Sequence, residues 1–130
     1  MKKVWILAAA ALLASCSPKA KSGAEAKYDG LDGEILAWRQ EILKADKICL
    51  AKSDGCQAFE VRCKGEREIS ATDQAKGVTA KLVVAMSWEG WEEVRSEYRP
   101  QSGFSEFTKI DGGWLRAPTA PVNMSTCVSS

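Results

Sequence analysis

Five cysteines carry most of the reactive chemistry in this 130-residue chain. Cys16 follows an apolar run and the small residues Ala14 and Ser15, apart from the other four. Cys49, Cys56, Cys63 and Cys127 are an even set, suited to two disulfides in an oxidising compartment. Histidine is absent, which removes the commonest general base, the Ser-His and Cys-His nucleophile pairs and the commonest transition-metal ligand. Carboxylates such as Glu92, Glu93 and Glu97 are interspersed with Lys and Arg and read as solvated surface rather than as an acid/base pair. The expectation is a protein that is not an enzyme and needs no cofactor or metal.

Lys2 and Lys3 precede an apolar stretch, residues 4–13, too short to cross about 30 Å of hydrocarbon and therefore read as a cleaved signal peptide. Leu13-Ala14-Ser15-Cys16 resembles the lipobox of bacterial lipoproteins. That resemblance implies diacylglycerol on the Cys16 thiol, cleavage before Cys16 and acylation (palmitate) of the new amino terminus. Two or more chains anchor stably where one binds marginally. Ser17, where inner-membrane lipoproteins often carry Asp, points to the outer membrane with the domain facing the periplasm.

The expected division is residues 1–15 as signal peptide, 16–29 as lipidated cysteine and tether, and 30–130 as a single domain. The chain has 18 basic and 17 acidic side chains; without Lys2 and Lys3 the side chains sum to −1. Such a balance gives no electrostatic case for nucleic acid. Beyond the membrane, the expected partner is an envelope protein or glycan, and the domain is read as a monomer. Residues 17–27 are small, polar and Pro/Gly-punctuated, a tether reaching at most about 35 Å.

Leu31, Ile35, Trp38, Ile42, Ala45 and Cys49 recur with helical spacing, and Leu36, Leu43 and Leu50 widen the stripe, so residues 31–50 are expected to form one helix capped by Asp29 or Asp32. A period of two over residues 78–88 marks a strand whose even-numbered face meets that helix. A weaker strand is expected over residues 58–69, with Lys64-Gly65 as a bulge or turn, followed by a polar connection over residues 70–77. Residues 103–110 and 114–117 flank Asp111-Gly112-Gly113, a hairpin signal. Residues 91–98 are expected to be a long irregular connection, because a tight turn at Glu89-Gly90 would set Glu93 and Arg95 on the core face.

The fold class is thus α+β: one amphipathic helix on a curved antiparallel sheet of about four strands, stapled by disulfides. The element order is similar to that of cystatin-type and nuclear-transport-factor-like cone folds, which host many functions. If Cys56 and Cys63 flank extended chain they stand roughly 20 Å apart, beyond disulfide reach. Cys49–Cys56 with Cys63–Cys127 is the first-ranked pairing, and Cys49–Cys63 with Cys56–Cys127 the second. Trp88 and Trp91 are candidate ligand-contact aromatics, competing with a core role. Arg62-Cys63-Lys64-Gly65 resembles a turn of the membrane-bound lysozyme inhibitors, small all-β barrels, which makes enzyme inhibition the alternative function.

Overall fold

The computed structural model describes residues 27–129; the signal peptide, Cys16 and most of the tether lie outside them. Helix α1 (Leu31–Ala45) and a single turn, α2 (Lys47–Leu50), precede strand β1 (Cys56–Glu66), a short helix α3 (Ala71–Ala75), and strands β2 (Val78–Glu92), β3 (Glu97–Ile110) and β4 (Gly113–Pro118). The strands form one antiparallel sheet in the order β1-β2-β3-β4. This is the α+β arrangement expected from the sequence.

The apolar stripe of α1 buries Leu31, Ile35 and Trp38. They meet Leu82, Val84, Met86 and Trp88 from the even-numbered face of β2, and Phe107 of β3. Phe107 is fully buried, and the Trp38 ring meets it edge-on, with centroids 6.0 Å apart. Arg116 on β4 reaches up to Glu41 of α1 as an ion pair. Trp114 Nε1 donates to Asp29 O at 2.8 Å, tying both ends of α1 to the outer strand.

The helical stripe does not continue to Leu50 as one rod. Asp46 is extended, and its carboxylate accepts from Ile48 N at 2.9 Å, so it caps a new turn. An Asp that can bond the backbone ahead of it competes with helix continuation. Leu36 and Leu50, expected to widen the buried face, are exposed. The amino end of α1 is not capped by Asp29 or Asp32: Gly30, left-handed at φ 85°, takes the cap position with no side-chain bond. Tyr28, placed in the tether by sequence, packs against the core, and Lys27 pairs with Glu66 at 3.1 Å.

Two further expectations change. Lys64 and Gly65 pair regularly with Val84 and Val83; the irregularities lie earlier in β1, between Gln57 and Glu60 and between Val61 and Cys63, with Ala58 at φ 58°. Residues 91–98 are not an irregular loop. Strand β2 runs on to Glu92, and β3 starts at Glu97 with Trp91 opposite Tyr98, so Glu93 and Arg95 fall in the turn and never reach the core face. At the other hairpin Asp111 and Gly112 take φ 50° and 82°, the positive pair that a two-residue turn between twisted strands requires.

The odd-numbered face of β2 is covered too. Val83 and Ala85 are buried on the face that also carries Cys63, the partner of Ala85 in register. Cys63 bonds Cys127, and Cys49 bonds Cys56, the first-ranked pairing. Fully buried Cys127 lies so close to β1 that a Cβ at Gly65 would stand 2.7 Å from its own Cβ. Arg67 holds the tail by donating to Cys127 O. Asn123 folds the tail back, its Oδ1 accepting from Ser125 N and Thr126 N at 2.8 and 3.1 Å.

The polar connection contains α3, whose Ser70 and Asp73 form a reciprocal capping box. The Ser70 hydroxyl, the Ser70 backbone N–H and then Lys81 hold the Asp73 carboxyl below the usual Asp value. A depressed folded-state pKa gives stabilisation that is present above about pH 4 and lost as pH falls through the folded value. An NMR titration is expected to place the Asp73 midpoint below 3.8, and Ser70→Ala is expected to raise it. An unchanged midpoint in that variant would contradict the capping geometry.

Candidate binding cleft at the distal end of the sheet

The chain break at Asp46 lays α2 across the end of the sheet. The Cys49–Cys56 bond fixes that turn to the start of β1, and Ile48 rests on Gly90 of β2. A Cβ at Gly90 would come within 2.6 Å of Ile48 Cγ2 and 2.9 Å of Gln101 Cγ, so the close seat of α2 depends on that glycine. Between α2 and the β2–β3 hairpin lies a cleft of about 370 Å³. Lys47, Ile48 and Ala51 line one side, and Gly90, Trp91, Glu92, Arg99 and Gln101 the other, with Glu93 at the turn.

The lining combines hydrocarbon and polar groups. Ile48, Ala51 and Gly90 supply its apolar part. Arg99, also in the lining, pairs with Glu92 at 3.4 Å and Glu97 at 3.2 Å, which holds its guanidinium in place. Among the described residues, the side chains of Lys47, Glu93 and Gln101 have no hydrogen-bond or ion-pair partner.

Beside the cleft, Trp91 and Tyr98 meet edge to face with centroids 5.1 Å apart. The Lys52 ammonium stands 3.8 Å from the Trp91 ring centroid and 5.2 Å from that of Tyr98, within cation–π range. Tyr98 Oη donates to Asp54 O at 2.6 Å, and Trp91 N donates to Gly55 O at 2.7 Å. The loop closed by Cys49–Cys56 is therefore bound to both strands of the hairpin.

Of the two candidate aromatics, Trp88 is core: it is 7% exposed and stacks on Phe59 with centroids 5.5 Å apart. Trp91 is half-buried and lines the cleft. Three residues apart on one strand, they belong to opposite faces, so they do not make a shared platform. Cys16 lies outside the described residues. Sequence reading missed Tyr98, Arg99 and Gln101. The turn that aligns them with β2, residues 93–96, lacks Gly, Pro and Asn, the residues that announce a hairpin. A second depression, between α1 and β4, is lined by Trp38, Ile42 and Ala45 but is spanned by the Arg116–Glu41 pair.

No family model, curated protein or solved structure matches this chain. The resemblance to lysozyme inhibitors implied an all-β barrel, whereas the architecture here is a helix on an open sheet.

Proposed function

We propose that this protein is a lipid-anchored lipoprotein of the bacterial envelope, held in the outer membrane with its domain facing the periplasm, and that it acts by binding rather than by catalysis. The observation that carries the reading is the lipobox Leu13-Ala14-Ser15-Cys16 behind a basic and apolar leader. A domain stapled by two disulfides suits an oxidising compartment. The lack of histidine and the charge balance around the cleft favour a binding role.

Globomycin treatment, or Cys16→Ala, is expected to leave an unprocessed precursor and to abolish labelling by a clickable palmitate. Recovery of an unlabelled, membrane-free protein with Cys16 intact would sink the anchor reading.

A further inference from the structure

We propose that the cleft between α2 and the β2–β3 hairpin is a saccharide site, taking a neutral sugar ring whose C–H face lies against Ile48 and Ala51 while its hydroxyls meet Arg99, Gln101 and Glu93. This deepens the binding reading above and rests on it.

Three observations carry the assignment. The first is size: about 370 Å³ is at the small end of the roughly 300–1,000 Å³ typical of ligand clefts, suited to a short saccharide rather than to a folded partner. The second is charge. Two cations, Lys47 and Arg99, and two carboxylates, Glu92 and Glu93, line the cleft, so a ligand with a net charge gains no overall attraction. A pyranose is uncharged, with an apolar face and a rim of donors and acceptors. It matches a lining that combines apolar Ile48, Ala51 and Gly90 with planar polar groups, each able to bond two neighbouring hydroxyls. The side chains of Gln101 and Glu93, unpartnered among the described residues, and the ion-paired guanidinium of Arg99 are such groups, available without breaking the fold.

The third observation is placement. The described chain enters at Lys27, whose carbonyl accepts from Lys109 Nζ at 3.4 Å and whose ammonium pairs with Glu66, the register partner of Leu82. Gly90 lies eight residues further along β2, roughly 26 Å away at strand rise. The cleft is thus at the end of the sheet remote from Lys27, so a ligand there does not meet the residues at which the described chain begins.

The test titrates the full-chain protein, disulfides oxidised, with two neutral disaccharides, maltose and N,N′-diacetylchitobiose. Phosphocholine and the dipeptide Ala-Glu serve as charged comparisons. Saturable shifts of the Gly90 amide and the Gln101 side-chain amide in NMR spectra are expected with at least one disaccharide, with a dissociation constant on the order of 1 mM. Ala51→Trp, which fills the cleft from an exposed position, and Gln101→Leu are each expected to weaken binding about tenfold or more. Leu115→Ala, on the opposite sheet face, is expected to leave it unchanged. Peptide mapping of both disulfides certifies that each variant is folded.

No saturation by either disaccharide up to about 20 mM, saturation by a charged comparison alone, or unaltered affinity in both cleft variants would overturn the assignment. Loss of sugar binding with the Cys16 palmitate label retained removes the cleft proposal alone. Loss of the label with sugar binding intact removes only the anchor.

Discussion

Phe107→Ala is expected to lower the free energy of unfolding by about 3–5 kcal/mol, the largest effect of any single truncation in the domain. Phe107 has no solvent-accessible surface. It sits opposite Leu82 across the β2–β3 ladder and receives the edge of Trp38 from α1, so its ring joins the helix layer to the sheet layer. Removing it deletes buried apolar surface and leaves a cavity whose walls are strands and an aromatic helix side chain, neither free to collapse into the space. Leu115→Ala is the control. Leu115 is similarly apolar and one strand over, but 61% exposed, and its loss is expected to change stability by less than about 0.5 kcal/mol. Urea unfolding of both variants measures the difference. Equal midpoints would show that α1 does not pack on this sheet as described.

Replacing both Cys63 and Cys127 by Ala is expected to cost about 4 kcal/mol, against about 2.5 kcal/mol for replacing both Cys49 and Cys56. The bonds close loops of very different size, with sequence separations of 64 and 7, and the chain-entropy penalty removed from the unfolded state grows with loop length. The longer bond also pins the tail over the odd-numbered face of β2. Its loss should therefore raise hydrogen exchange at Val83 and Ala85, which are 2% and 0% exposed in the intact fold. The shorter bond holds α2 against β1 and should loosen the cleft while leaving the tail protected. Denaturant melts ranked in the reverse order would contradict the entropic account. Exchange that rose uniformly in both pairs of variants would contradict the separate placement of the two staples.

The readable parts of this chain were those with a local period. The helical stripe of Leu31, Ile35 and Trp38 and the alternation over residues 78–88 each state a buried face by spacing alone. Asp111-Gly112-Gly113 states its turn because left-handed backbone there favours those residues. Strand geometry excluded a Cys56–Cys63 bond, since an extended segment keeps those two too far apart, and left two pairings, of which the first-ranked is the one formed.

Where local signals competed, the outcome was decided in three dimensions. Asp46 lies within an apolar helical pattern that continues to Cys49, and the change of direction there depends on a side-chain bond to Ile48 N and on the seat of α2 against Gly90. The β2–β3 turn has no glycine or proline to announce it; its position follows from how far the two long strands remain in register. The burial of Val83 and Ala85 depends on a tail some forty residues later in the chain, which no window of local sequence contains.

The sequence by itself therefore determined the α+β class and the two periodic faces, on α1 and on β2, that meet in the core, because apolar length and periodicity are properties of adjacent positions. Only the tertiary structure decided that Trp88 is core while Trp91 lines a cleft, and that Arg99 and Gln101 share that cleft with Lys47 and Ile48. Those groups are brought together by strand register and a stapled turn, which depend on contacts between residues distant in the chain.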